Sequence, residues 1–216
     1  MLIVILSILA ALSAVLTIVG KYRGSKRLEY IFKPLTMVWI ILIAILADDP
    51  ISTRYQVLIL LGLLASIVGD VFLMLPDDRL LQGLVSFLIA HVFYIVAFTV
   101  ESSGRAPIWY IIPFVLLGLF MLWLLWPYLE RMRIPVVIYM SVILIMAWQA
   151  ANRWIELRAT DTLLAMIGAY LFVASDSVLA VQRFRGRFRS ADFWVLALYF
   201  PAQWLIALSI GGQSIF

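Results

Sequence analysis

Eight long apolar segments, joined by short polar connections, make up almost the whole sequence. A helix needs about 20 residues to cross the hydrocarbon core of a bilayer, and each segment is close to that length. The connections are rich in charged residues, Gly and Pro, and none is long enough for a soluble domain. We therefore predict one membrane domain over residues 1–216, with spans at about 1–19, 30–47, 55–75, 80–100, 107–126, 134–151, 160–181 and 192–210.

The composition excludes several other classes of protein. Hydrophobic residues make up 65% of the chain and charged residues 13%, which is typical of an integral membrane protein. The apolar runs are too long for transmembrane β-strands, which alternate over about ten residues. There is no cysteine, so disulfides and thiolate metal ligands are excluded. The predicted fold class is an all-α integral membrane protein, an eight-helix bundle whose first segment is a retained helix and not a signal peptide.

The distribution of basic residues predicts the orientation of the bundle. Twelve of the 16 Lys and Arg residues lie in the connections after the first, third, fifth and seventh segments or at Lys33. Short loops rich in Lys and Arg stay in the cytoplasm. We expect these connections to be cytoplasmic, with both termini on the non-cytoplasmic side of a bacterial inner (cell) membrane. Basic residues confined to short loops give no indication of nucleic-acid binding.

Two aspartates interrupt the apolar segments at the same depth. Asp70 and Asp176 each lie five residues from the cytoplasmic ends of the third and seventh segments, roughly 7–8 Å inside the hydrocarbon. An ionisable side chain at this depth is unfavourable, so a functional role is the default interpretation. Because the depths match on helices that run in the same direction, we predict that the two carboxylates face one shared cavity.

Other polar residues inside the segments have both structural and functional interpretations. Lys33 could extend to the headgroups, or it could balance the charge of an aspartate or a lipid phosphate. His91, the only histidine, shares a helical face with Tyr94 and is either a hydrogen-bonded core residue or part of the wall of the site. Tyr199 and Gln203 are one turn apart and could join helices or orient the site.

Three further polar positions carry weaker signals. Ser175 and Ser177 flank Asp176 and could bond back to their own helix. Asn152, just beyond the sixth segment, is expected at the membrane interface.

In order and spacing these elements resemble the YhhN-like lysoplasmalogenase family of multi-span membrane proteins. The resemblance implies hydrolysis of the vinyl-ether bond of lysoplasmalogens, or of a related lysolipid from the cytoplasmic leaflet, to a fatty aldehyde and glycerophospho-ethanolamine or -choline. The matching elements are Lys33-Pro34-Leu35-Thr36, Gly69-Asp70-Val71-Phe72-Leu73-Met74, Gly83 with Phe87, His91 and Tyr94, Gly168 with Phe172 and Ser175-Asp176-Ser177, and Tyr199 with Gln203.

The implied chemistry suits the residues present. A vinyl ether is hydrolysed by protonation of its β-carbon to an oxocarbenium ion, which water captures before the hemiacetal collapses. This needs one protonated acid and one anion, the division of labour that glycosidases assign to two carboxylates. We predict Asp70 and Asp176 as the acid/base pair, without deciding between them, and no cofactor or metal. The predicted substrate-binding or orienting residues are Lys33 at the lipid phosphate, with His91, Tyr94, Ser175, Ser177, Tyr199 and Gln203.

Two other functions remain open from the sequence. A small-molecule or proton-coupled transporter could use the same aspartates as a relay. A metal-dependent lipid amidase of the ceramidase type could hold zinc with His91, Asp70 and Asp176. A single histidine without local ligand spacing argues against that metal site.

Overall fold

A computed structural model describes residues 1–75, 79–100, 102 and 107–211. These residues form eight main helices, and the all-α fold class is confirmed. Each is long and apolar enough to cross a membrane, the fifth when its flanking 3₁₀ turns are included (Ile108–Tyr128). The helices are α1 (Leu2–Tyr22), α2 (Lys26–Ile45), α3 (Thr53–Met74), α4 (Leu80–Thr99), α5 (Ile112–Leu125), α6 (Arg133–Leu157), α7 (Thr160–Ala180) and α8 (Ala191–Leu208).

Short irregular helices adjoin three of these elements. Turns of 3₁₀-helix flank α5 at Ile108–Ile111 and Trp126–Tyr128, and a further one at Glu130–Met132 precedes α6. A π-helical segment, Val181–Arg185, continues α7. Wider helical turns of this kind are often found at functional sites.

Seven of the helices form a closed ring, and α5 lies outside it. Neighbours around the ring are α1, α2, α3, α4, α6, α7 and α8, with α8 packing back against α1 and α2. Helix α5 packs mainly on α6, and its outer face carries Trp123 and Leu116, which are 73% and 60% exposed. An apolar face turned away from the bundle is what a lipid-facing helix requires. We call the side on which α1, α3 and α7 end, near Tyr22, Met74 and Ala180, the basic face.

The end of α6 differs from the sequence prediction. The helix continues to Leu157, whereas its span was predicted to end near residue 151. Asn152 is 5% exposed and Arg153 1% exposed, so the interfacial position expected for Asn152 is wrong. The Arg153 guanidinium lies 3.5 Å from Asp161 and over the ring of Tyr55 at 4.4 Å. Asn152 and Arg153, which end the apolar pattern of the sixth segment, are thus packed inside the bundle at the end opposite the basic face.

Candidate active site

A cavity of about 520 Å³ reaches into the bundle from the basic face, and both Asp70 and Asp176 line it. The carboxylates come from α3 and α7, which lie on opposite sides of the ring. Phe87, Ser175 and Tyr199 also line the cavity. The structure therefore brings together the two aspartates that the sequence placed at equal depth.

Asp70 is buried and both of its carboxylate oxygens have partners. Its Oδ1 lies 2.9 Å from the Nζ of Lys33, and its Oδ2 accepts a hydrogen bond of 2.7 Å from the Tyr199 hydroxyl. Lys33 is itself only 8% exposed, so its ammonium group does not extend to the lipid headgroups. Of the interpretations open for Lys33, the structure shows the counter-charge of an aspartate.

A line of hydrogen bonds continues from Tyr199 into the bundle. Gln203 Nε2 donates to the Tyr199 hydroxyl at 3.3 Å, and the Tyr94 hydroxyl donates to Gln203 Oε1 at 2.7 Å. Tyr94 is held close to α3 because residue 62 is a glycine; a Cβ atom on Gly62 would lie 2.2 Å from the Tyr94 ring. Of three residues predicted for the site, Tyr199 contacts Asp70 directly, and Gln203 and Tyr94 continue the line of hydrogen bonds from Tyr199 to α4.

Asp176 has different surroundings. Its Oδ2 accepts a hydrogen bond from the hydroxyl of Tyr139 on α6. Within the part of the chain that the structure describes, Asp176 forms no ion pair with a Lys, Arg or His side chain. One carboxylate of the cavity therefore has a cation beside it, and the other has only a phenol.

Tyr139 is a candidate site residue that the sequence analysis missed. Tyrosines are common near membrane interfaces, and its local sequence carries no motif. Its depth was the available signal. Tyr139 lies six residues into α6 from the basic face, roughly 9 Å along the helix, which matches the depth of both aspartates.

His91 lies behind the site and not on its wall. The residue is fully buried, with its ring edge-on to Phe172 at 4.7 Å and to Tyr139 at 5.3 Å between ring centroids. His91 is absent from the lining of the cavity, and neither ring nitrogen has a hydrogen-bond partner among the described residues. The same residues contain no group of three His, Cys, Asp or Glu side chains that could hold a metal ion. His91 supports Tyr139 through ring packing.

The two serines beside Asp176 bond to main-chain carbonyl groups. Ser175 Oγ donates to the carbonyl oxygen of Val195 at 2.9 Å and so joins α7 to α8. Ser177 Oγ donates to the carbonyl oxygen of Val173 in its own helix at 2.7 Å. Their bonds stabilise the segment that carries Asp176.

A second, narrow pocket of about 70 Å³ adjoins the cavity among α4, α5, α6 and α7. Its walls are almost entirely apolar, with Met121, Val136 and Ile143 among them. The two spaces share part of their lining, so the polar cavity and the apolar pocket meet at Asp176. The shared residues are Leu73, Leu80, Phe87, Asp176, Leu179 and Arg183.

Comparison with known proteins gives a consistent set of relatives. A sequence model of the YhhN family matches residues 28–210. The chain is 33% identical over 205 residues to the uncharacterized membrane protein YhhN of Escherichia coli O6:H1, covering 94% of this chain and 97% of that protein. It is 31% identical over 191 residues to lysoplasmalogenase TMEM86A of Bos taurus and of Homo sapiens, covering 82% of this chain and 74% of theirs. No solved structure matches the chain at a significant level.

Proposed function

This chain belongs to the YhhN family, and we propose on that premise that it is a membrane hydrolase that cleaves the vinyl-ether bond of lysoplasmalogens. The relatives named lysoplasmalogenase support the reaction class. The observation that carries the proposal is a single cavity lined by two carboxylates in different surroundings: among the described residues Asp70 has a cation beside it, and Asp176 pairs with none. Vinyl-ether hydrolysis needs an anion and an acid in that arrangement.

The surroundings of the two aspartates support a different role for each. The ammonium group of Lys33 and the hydroxyl of Tyr199 both favour the ionised form of Asp70. A carboxyl group without a counter-charge in an apolar site is more easily kept protonated than ionised. Asp176 is therefore the acid, and the hydrogen bond from Tyr139 to its Oδ2 leaves Oδ1 to carry the proton toward the substrate.

The reaction then proceeds with one proton and one water. Asp176 donates its proton to the β-carbon of the vinyl ether, the electrons of the double bond form the new C–H bond, and an oxocarbenium ion remains. The negative charge of Asp70 stabilises this cation across the cavity. Water adds to the α-carbon and returns a proton to Asp176. The hemiacetal collapses with cleavage of its C–O bond, releasing a fatty aldehyde and the glycerophospho-headgroup alcohol.

The two adjoining spaces suit an amphiphile with one chain. The first carbons of the alkenyl chain would enter the narrow apolar pocket, which has Met121, Val136 and Ile143 in its walls. The polar headgroup would occupy the cavity. The vinyl ether joins these two parts of the molecule, and Asp176 lies where the two spaces meet.

A second candidate function is proton-coupled transport. The hydrogen-bonded line from Lys33 and Asp70 through Tyr199 and Gln203 to Tyr94 would favour it, because such lines can carry protons. A transporter would move protons or a solute across the membrane of sealed vesicles that contain the protein, and it would leave the lipids chemically unchanged.

The deciding experiment is an assay for aldehyde release by the purified protein. We expect aldehyde from a lysoplasmalogen and none from the alkyl-ether lysophospholipid of the same chain length, because the latter has no double bond to protonate. A protein that releases no aldehyde, but acidifies or loads sealed vesicles, would favour transport. Hydrolysis of an ester or amide lipid in place of the vinyl ether would contradict the proposed substrate.

A further inference from the structure

The mouth of the cavity carries charged side chains that the acid–base steps do not use. Among the described residues that line it, four are cations and two are carboxylates. The cations are Lys21, Arg79, Arg183 and Arg187, and the carboxylates are Glu29 and Asp192. Of these six charged side chains, the apolar pocket beside the cavity shares Arg183 alone.

Two ion pairs hold part of the rim in a defined geometry. Lys21 Nζ lies 2.7 Å from Glu29 Oε1. Arg187 donates to Asp192 Oδ2, while Gln182 Nε2 donates to Asp192 Oδ1 at 2.9 Å. The hydrogen bond and charge of Asp192 raise the pKa of Arg187, which keeps its charge throughout the physiological pH range. The side chains of Lys21 and Arg187 are 29% and 66% exposed, so both cations can be reached from water.

Lys33, the cation beside Asp70, cannot take the place of this rim. Lys33 lies deeper in the bundle, is nearly fully buried, and already forms an ion pair with Asp70. A lipid phosphate bound to Lys33 would draw its ammonium group away from Asp70 and remove the counter-charge of that carboxylate. The phosphate-binding role predicted for Lys33 therefore belongs more naturally to the exposed cations of the mouth.

The distances suit a lysophospholipid bound with its vinyl ether at Asp176. Arg183 follows Asp176 by seven residues, which is about 10 Å along a helix. Six covalent bonds separate the α-carbon of the vinyl ether from phosphorus, a span of roughly 7 Å. With the first carbons of its chain in the apolar pocket, the lipid would thus present its phosphate close to the mouth of the cavity.

We propose that the mouth of the cavity is a headgroup subsite for zwitterionic lysophospholipids. Lys21 and Arg187 bind the phosphodiester, and Glu29 and Asp192 bind the ammonium group of ethanolamine or choline. Charge-assisted hydrogen bonds of this kind are the strong ones, and here donors and acceptors are already positioned. This inference rests on the proposed function and assigns the residues that bind the headgroup in the same site.

The first test compares two substrates that differ only in the headgroup. We expect Arg187→Gln to raise KM for an ethanolamine lysoplasmalogen by about tenfold with less than a twofold change in kcat. The same variant should leave the kinetics of the corresponding 1-alkenylglycerol, which has no phosphate, unchanged. Lys21→Gln should act in the same direction. Arg185→Gln is the matched control, because Arg185 is an exposed arginine two residues before Arg187 that does not line the cavity.

An unchanged KM for the phosphorylated substrate, or an equal loss on both substrates, would overturn the phosphate assignment. Asp192→Asn tests the ammonium half, because it should lower the preference for an ethanolamine headgroup over a glycerol headgroup. If Asp192 only positions Arg187, both headgroups should lose affinity equally, and the ammonium assignment is then wrong.

A binding measurement separates this inference from the proposed reaction. The probe is the alkyl-ether lysophosphatidylethanolamine, which cannot be hydrolysed at a vinyl bond, titrated calorimetrically into detergent-solubilised protein. Its Kd should rise about tenfold in Arg187→Gln and stay unchanged in Arg185→Gln. This pattern without aldehyde release would sustain the headgroup subsite and contradict the hydrolase. Aldehyde release without this pattern would do the reverse.

Discussion

The hydroxyl of Tyr139 donates a hydrogen bond to Asp176 Oδ2, and this contact joins α6 to α7 beside the apolar pocket. In the proposed reaction, this bond fixes the orientation of Asp176 relative to the alkenyl chain. The ring of Tyr139 also packs edge-on against the buried imidazole of His91. Removal of the hydroxyl would therefore disturb the orientation of Asp176 while leaving the ring packing in place.

Tyr139→Phe should lower kcat by about tenfold with little change in KM, because a hydrogen bond to an acidic side chain is lost while the binding surface is kept. Steady-state aldehyde release measures both constants. Tyr170→Phe is the matched control, because Tyr170 lies on α7, is 41% exposed and packs its ring against Phe114. Unchanged kcat in Tyr139→Phe would show that Asp176 needs no orienting phenol.

Asp70→Asn and Asp176→Asn should each reduce aldehyde release by about 10²–10⁴-fold in protein that remains folded. Turnover in D₂O should be slower, because a solvent-derived proton moves in the rate-limiting step. His91→Gln should have a milder effect, since His91 contacts the site only through rings. Substantial activity in either Asn variant, or a chelator effect that zinc reverses, would contradict the two-carboxylate mechanism.

Lys33→Met should destabilise the protein by about 3–5 kcal/mol, because it leaves the charge of Asp70 buried without a partner. The double variant Lys33→Met/Asp70→Asn should recover much of the free energy of unfolding without recovering activity. Denaturant titration in detergent measures the free energy of unfolding. Lys26→Met, at the exposed start of the same helix, serves as the control. A double variant no more stable than Lys33→Met would argue against the ion pair as the cause.

Gly62→Ala should destabilise the bundle by about 1–3 kcal/mol and reduce activity. The new methyl group would overlap the Tyr94 ring, whose displacement breaks the bond to Gln203. Gly118→Ala is the comparison, because its Cβ would meet only the end of the Leu144 side chain at 2.8 Å. Thermal unfolding of both variants in one detergent shows the difference. Equal midpoints would mean that Tyr94 can move freely.

The absence of cysteine permits a direct test of orientation. Arg27→Cys and Arg185→Cys should react with a membrane-impermeant thiol reagent only after the cells are permeabilised, because their connections are predicted to be cytoplasmic. Asp48→Cys should react in intact cells. The reverse labelling pattern would show that the bundle has the opposite orientation and that the cavity opens toward the outer leaflet. A tag after Phe216, which lies outside the described residues, should also be reached from outside.

The sequence predicts most of the fold because membrane spans are set by length and hydrophobicity. The helices begin and end within a few residues of the predicted segments, apart from α6. That helix continues through Arg153, whose charge resembles an interfacial anchor until its contacts with Asp161 and Tyr55 are known. Hydropathy cannot distinguish a buried ion pair from the surface of a membrane.

The site is predictable only as far as depth along each helix can be counted. Equal depth places Asp70 and Asp176 in one cavity, and Tyr139 could have been found in the same way. Rotation about each helix axis is set by packing against neighbours that are distant in the chain. For this reason the choice of partner for Lys33, and the position of His91 behind the cavity, required the three-dimensional structure.

The pairing of Lys33 with Asp70 has a consequence for the order in which the chain enters the membrane. Tyr199, the other partner of Asp70, is 129 residues further along the chain and is synthesised long after α3. Lys33 lies on α2, the helix that immediately precedes α3 and packs against it. A two-helix hairpin of α2 and α3 can thus bring its own neutralised ion pair into the bilayer during translation, and Asp70 need not wait for the last helix to find a counter-charge.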